Sequence, residues 1–177
     1  MKTSPGFFCF GFAGKDDFNL LEMTRSHESL EKADLKNYFM VFEGKHEWPD
    51  SSIMRNAFEM LSTTDTHRRE ALSKKILTSS SGKISQEKFF TEESAMQKNY
   101  LGAFTSQNIL WWRKEITKLQ QGGKVNRNME EVHRSRRLLA YIGLAIYSYS
   151  NGAINNHQDV DAQKFLEIYR MADEKNS

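Results

Sequence analysis

The chain has 177 residues, enough for one domain or for one domain and a small second one. Its formal net charge of +2 is nearly balanced, so the composition does not favour a nucleic-acid partner. The single cysteine, Cys9, excludes an internal disulfide and a multi-cysteine zinc site. No apolar run is long enough to span a bilayer, and the run 7–13 lacks the basic region and the cleavage site of a signal peptide. The sequence does not identify a compartment.

Two runs of large apolar and aromatic residues predict buried β-strands, at 7–13 and at 38–43. About 24 residues separate the runs, which is enough for a crossover helix, and apolar positions predict that helix over 20–33. We therefore expect a β-α-β unit with two parallel strands and no further strand. A second helix is predicted to follow Pro49, over 50–61. These two helices are expected to cover one face of the sheet at most.

The second half of the chain has the composition and the apolar spacing of helices. Residues 63–77 are charged and helical in composition, and a serine- and glycine-rich break follows at 79–82. Beyond it, apolar side chains recur at helical spacing in four segments, at 96–104, 109–119, 129–149 and 162–169.

Local signals predict where three of these helices begin or end. Gly122 and Gly123 are expected to end the helix that starts at 109. Asn151 and Gly152 are expected to turn the chain after the next helix. Asp159 or Asp161 is expected to cap the last one.

Two polar side chains stand just past the carboxyl ends of the predicted strands. Asp17 follows a turn that begins at Gly14, and His46 follows Gly44. Because the carboxyl ends of neighbouring parallel strands lie together, we expect the carboxylate to reach the imidazole. A carboxylate at Nδ1 would hold one tautomer and stabilise the imidazolium, so that the imidazole can act as a general base.

These residues resemble the C-terminal end of an α/β-hydrolase, in particular bacterial esterases and dienelactone-hydrolase-like enzymes. The resemblance covers about residues 7–62 and is carried by Gly14-x-x-Asp17-Phe18-Asn19 and by Phe42-x-Gly44-x-His46-x-Trp48-Pro49. It implies that Asp17 is the triad acid and His46 the triad base. The Gly-x-x-Asp pattern selects Asp17 over the neighbouring Asp16.

The nucleophile of that family lies upstream of the acid in a Gly-x-Ser-x-Gly elbow, and this chain contains no such motif. Only sixteen residues precede Asp17, too few for the elbow with its strand or for the oxyanion-hole loop. The resemblance thus implies a fragment or degenerate member of a serine hydrolase that is inactive alone. Its substrate in a full-length parent would be a small-molecule ester or acyl compound, with no cofactor and no metal.

The helices after residue 82 resemble a tetratricopeptide-type array, through aromatic and alanine positions on paired helices and through residues 165–176, without a clean 34-residue period. This resemblance implies a protein partner for the C-terminal helices. A non-enzymatic interaction module is therefore the alternative function. The expected fold class is α/β, with a partial α/β-hydrolase fold at 1–62, a helical linker at 63–82 and an α-helical region at 83–177.

Two further clusters are interpreted as solvated surface. Glu130-x-x-His133 has the spacing of a carboxylate-bridged metal ligand pair, but the second copy that such sites need is missing. Arg134, Arg136 and Arg137 follow one turn after a pair of glutamates. Ion pairs along one exposed helix face explain this pattern better than phosphate binding.

Overall fold

The structure is a computed structural model that describes residues 9–79, 87–124, 128–155 and 161–173. It is mainly helical and contains one small parallel sheet, which confirms the expected mixture of α and β elements. Two compact units divide the chain, Met1–Ser85 and Gln86–Ser177. The elements in chain order are β1 (Cys9–Gly14), α1 (Leu20–Lys32), β2 (Asn37–Phe42), α2 (Ser51–Ser62), α3 (Thr66–Ser79), α4 (Glu87–Ser106), α5 (Ile109–Lys124), α6 (Met129–Asn155) and α7 (Ala162–Asp173).

The sheet of the first unit has two strands, β1 and β2, joined by the crossover helix α1. They pair in parallel, from Cys9 opposite Asn37 to Gly14 opposite Phe42. The predicted β-α-β unit is thus confirmed, and the described part of the chain contains no other strand. Residues 7 and 8 of the predicted first strand lie outside the described residues.

Alternate strand residues face opposite sides of this sheet, and each side is covered by a different helix. On one side, α2 and Leu72 of α3 pack against a cluster that includes Met40 and Phe42. On the other side, Leu20 of α1 packs against Ala13 and Val41. The expectation that the two helices cover one face at most is therefore wrong. The segment interpreted as a linker also contributes to packing, since α3 supplies Leu72.

Helix α2 begins where the sequence predicts, directly after Pro49. The carboxylate of Asp50 caps it by accepting hydrogen bonds from the backbone N–H of Ser52 at 2.7 Å and of Ile53 at 3.1 Å. A hydrogen bond from the Ser52 side chain, with those from the Ile53 and Ser52 backbone, lowers the pKa of Asp50. The cap therefore stays ionised to a lower pH than an unperturbed aspartate would.

The described helices of the second unit, α4 to α7, enclose an aromatic and aliphatic core. Its largest member, Trp112, is fully buried and stacks on Phe104 with ring centroids 4.9 Å apart. The apolar faces predicted from helical spacing supply most of the other buried members: Tyr100, Ala103, Ile116, Leu119, Leu138, Leu139, Ile142, Ala145, Ile146 and Phe165. In α7 the prediction is partly wrong, because Ile168 is buried whereas Leu166 and Tyr169, which were predicted to share the face of Phe165, are exposed.

Two predicted helix ends are wrong, and for the first of them the reason lies in tertiary packing. Helix α5 continues through Gly122 and Gly123 to Lys124. A Cβ atom on Gly122 would lie 2.7 Å from Oγ of Ser135, so the glycine allows α6 to approach α5 closely. Helix α6 likewise continues through Gly152 to Asn155.

The start of the last helix agrees with one of the two predicted caps. Oδ1 of Asp161 accepts a hydrogen bond from the backbone N–H of Lys164 at 2.9 Å. The alternative, Asp159, lies outside the described residues.

The arginines of α6 were expected to form ion pairs along one helix, but two of them bond glutamates of α4. The side chain of Arg137 is 1% exposed, and it donates to Glu93 of α4 from Nε at 3.0 Å and from Nη2 at 2.8 Å. Its Nη2 also donates to Glu130 at 2.9 Å. Nearby, Arg134 bonds Glu92 at 3.0 Å. His133 is buried as well, so its interpretation as part of a solvated face is also wrong.

The pair between Arg137 and Glu93 is a buried connection between α6 and α4. Burial by itself lowers the pKa of Arg137, but the hydrogen bonds and charges of Glu93 and Glu130 outweigh that effect and raise it. The guanidinium thus stays charged in the interior and depends on its carboxylate partners.

We expect Glu93→Ala to lower the free energy of unfolding of the second unit by about 3 kcal/mol, because it leaves a buried guanidinium without its bidentate partner. The matched control is Glu92→Ala, which removes a half-exposed partner and is expected to cost about 0.5 kcal/mol. Urea unfolding followed by the fluorescence of Trp111 and Trp112, in a Trp48→Phe background, measures both. Equal losses in the two variants would contradict the structural role of Glu93.

Candidate acid–histidine site

Two loops that follow the strand ends are joined by backbone hydrogen bonds. The N–H of Lys15 donates to the carbonyl of Phe42 at 2.9 Å, and the N–H of Asp16 donates to the carbonyl of Gly44 at 2.9 Å. These bonds continue the contact between β1 and β2 past both strand ends. They hold the loop after β1 against the loop after β2.

A glycine is required where the loops meet. A Cβ atom on Gly14 would lie 2.4 Å from the carbonyl oxygens of both Gly44 and Lys45. No side chain fits at that distance without separating the loops. The absence of a Cβ atom therefore lets the two loops touch.

Asp17 is held in place by the loop after β1. Its backbone N–H donates to the carbonyl of Gly14 at 3.1 Å, and its Oδ1 accepts from the N–H of Asn19 at 2.8 Å. Its own carbonyl accepts from Leu20, the first residue of α1. The residue is 5% exposed, so the carboxylate is buried in a fixed orientation.

His46 meets this carboxylate from the loop after β2. Its Nδ1 lies 3.2 Å from both Oδ1 and Oδ2 of Asp17, so the predicted contact between the two residues is present. The imidazole lies beside the ring of Phe18, with centroids 4.6 Å apart. Its side chain is 60% exposed. The base is therefore accessible, whereas the acid is not.

A groove of about 520 Å³ contains the pair. Besides Asp17 and His46, its lining is mostly apolar and comes from β1, from α1 and from the segment before α2: Phe10, Gly11, Phe12, Met23, Glu47, Trp48 and Pro49. The aromatic residues of β1 were interpreted only as strand core, so the sequence did not predict this groove. Trp48, which follows His46 by two positions in the sequence, is the signal that could have identified it.

The arrangement supports one kind of chemistry. A carboxylate accepting the proton of Nδ1 leaves the lone pair of Nε2 on the other side of the ring, where it can remove a proton from a hydroxyl group. In the described part of the chain, no group of three or more His, Cys, Asp and Glu side chains could hold a metal ion. None of the described helices is long and apolar enough to cross a membrane.

Comparison of the chain with models of protein families, with curated proteins and with solved structures finds no match. The resemblances to α/β-hydrolases and to tetratricopeptide arrays therefore stay predictions.

We expect Gly14→Ala to separate the two loops, to break the contact between Asp17 and His46 and to destabilise the first unit by about 2–3 kcal/mol. The control, Gly102→Ala, adds a methyl group where no atom lies within 4 Å, and it should stabilise its helix by up to about 1 kcal/mol. Thermal unfolding gives the stabilities, and the imidazole NMR signals of His46 report the contact. An unchanged His46 spectrum in Gly14→Ala would refute the role of this close approach.

Proposed function

We propose that the first unit carries the acid and the base of a serine-hydrolase-like site that acts on an ester or acyl substrate. Asp17 orients His46, and His46 removes the proton from an attacking hydroxyl. The observation that supports this proposal is the 3.2 Å contact of Nδ1 with both carboxylate oxygens, made between two loops that follow neighbouring strand ends. The relation to α/β-hydrolases is part of the proposal.

The two residues differ in burial in the way this mechanism needs. A buried carboxylate keeps its orientation and acts on the imidazole at short range, because little water competes for it. The imidazole of His46 is mostly exposed, so its Nε2 can contact a hydroxyl group that is not part of the two loops. The mostly apolar groove beside it would receive the apolar part of the substrate.

The nucleophile is the part of the mechanism that these residues do not supply. No serine, threonine or cysteine side chain in the described ranges forms a hydrogen bond with His46, whose one hydrogen-bonded neighbour there is Asp17. The proposal therefore assigns this chain the acid–base half of the reaction, with a hydroxyl nucleophile and an oxyanion hole supplied from elsewhere.

The first prediction from this proposal concerns the tautomer of His46. In the native protein the neutral imidazole should carry its proton on Nδ1, because the carboxylate accepts it. In Asp17→Asn, the amide oxygen can keep the bond from Asn19, and the amide N–H₂ then faces Nδ1, so the proton should move to Nε2. Long-range ¹H–¹⁵N NMR of the imidazole distinguishes the two tautomers.

Asp16→Asn is the matched control for this experiment. Asp16 is also buried and adjacent in sequence, but the carboxylate that lies against Nδ1 is that of Asp17. The control should keep the native tautomer. A native protein with its proton on Nε2, or the same response to both substitutions, would remove the basis of the proposed acid–base role.

The second prediction concerns activity. The chain alone should hydrolyse p-nitrophenyl acetate no faster than an unrelated protein with the same number of exposed histidines. The reason is that the nucleophile and the oxyanion hole carry most of the acceleration in this class of reaction. Labelling of one serine by a fluorophosphonate, with loss of turnover, would show that the chain has a complete site.

A protein-interaction module is the second candidate function, and it concerns the second unit. Large apolar side chains are exposed on its last two helices, namely Leu144 and Tyr147 on α6 and Leu166 and Tyr169 on α7. Exposed apolar residues on neighbouring helices are typical of surfaces that bind other proteins. This candidate and the acid–histidine site are compatible, since they lie in different units.

A further inference from the structure

Helix α2 buries one face and exposes a second apolar face to solvent. Ala57 and Met60 point into the core of the first unit. Met54, Phe58 and Leu61 follow each other at helical spacing on another side, where Phe58 is 61% exposed and Leu61 is 41% exposed. This side of α2 is an open surface, and Ser51, Arg55, Glu59 and Ser62 lie along it beside the three apolar residues. We call Met54, Phe58 and Leu61 the outer stripe.

Two opposite charges flank the outer stripe on the same side. Arg55 and Glu59 are one helical turn apart and lie along one flank of the outer stripe. Arg55 forms no ion pair with any residue in the described part of the chain. Glu59 forms an ion pair with Arg68 of α3, and its side chain remains 34% exposed. The carboxylate can accept from a second guanidinium through its other oxygen.

This pattern is self-complementary under a two-fold axis. When two copies of a helix pack antiparallel around such an axis, each flank meets the same flank of the other copy in the reverse direction. An axis at the level of residue 57 places Arg55 of each copy opposite Glu59 of the other. Within one residue of that register, Met54 lies opposite Leu61 of the other copy, and Phe58 lies beside its own counterpart.

The charges therefore select one arrangement. In a parallel pair, Arg55 and Glu59 would lie on opposite outer edges of the interface and could not meet. In the antiparallel pair, two ion pairs close over the apolar contact. We infer that the outer stripe of α2 is the interface of a symmetric homodimer, in which α2 packs antiparallel against α2 of a second copy.

This dimer should be weak. Helix α2 has twelve residues and is therefore about 18 Å long, so one such contact buries less than the roughly 1,200 Å² of a standard interface. We expect a Kd on the order of 100 μM. The inference does not depend on the proposed acid–base role, because no residue of the outer stripe lines the groove that holds His46.

Charge reversal with mixing tests the inference on the full chain by sedimentation equilibrium. Arg55→Glu and Glu59→Arg should each raise the Kd about tenfold or more, because each places like charges opposite one another in its own dimer. An equimolar mixture of the two variants should form a heterodimer with a Kd close to that of the native chain. Circular dichroism of each variant checks that the fold is kept.

The apolar part is tested by Phe58→Ser, which should make the chain monomeric. The matched control is Leu110→Ser, since Leu110 is 69% exposed in the second unit and its substitution should leave the dimer unchanged. A native chain that stays monomeric up to about 1 mM would overturn the inference. So would a mixture of the two charge variants that associates no better than either variant alone.

Discussion

The hydrogen-bonded junction between the two strand-following loops is the constraint on which the rest of the first unit depends. Parallel pairing of β1 and β2 brings both carboxyl ends to the same edge, but it leaves open how far the loops diverge. The bonds from Lys15 and Asp16 to the second loop remove that freedom. Asp17 comes directly after these bonded residues in the first loop, and His46 comes two residues after Gly44 in the second. The backbone of the two loops therefore already brings the carboxylate and the imidazole together.

Two contacts between a carboxylate and a nitrogen-bearing side chain, Glu93 with Arg137 and Asp17 with His46, show how burial changes the use of similar chemistry. Glu93 and Arg137 are both enclosed, so their charges satisfy each other and join two helices. Asp17 is enclosed in the same way, but its partner His46 is mostly exposed. Because the imidazole of His46 is exposed, it can contact a molecule from solvent while Asp17 still holds it from the buried side. This difference is why we treat the first pair as structural and the second as a candidate site.

Local patterns in the sequence predicted those features that depend on neighbours in the chain. The two strands, the helix start after Pro49 and the meeting of Asp17 with His46 follow from apolar runs, a proline and glycine turns. These local patterns did not predict contacts between residues that lie far apart in the sequence. Nothing near Arg137 indicates Glu93, which is 44 positions away, and nothing near Gly122 indicates that Ser135 needs its space. The groove beside His46 was not predicted, because Phe10 and Phe12 of β1 were interpreted only as core residues. The same two residues pack against the core and also line the groove.

The close approach at Gly14 also bears on which alignment of the strands the chain can adopt. Sliding β1 by one position along β2 would bring Ala13 or Lys15 to the place where a Cβ atom lies 2.4 Å from two carbonyl oxygens. The same slip would turn every side chain of the strand to the opposite face. The described sheet has no third strand to hold its alignment, so these two effects are what oppose a slip. In the described sheet, one missing methyl group thus excludes the nearest misaligned states.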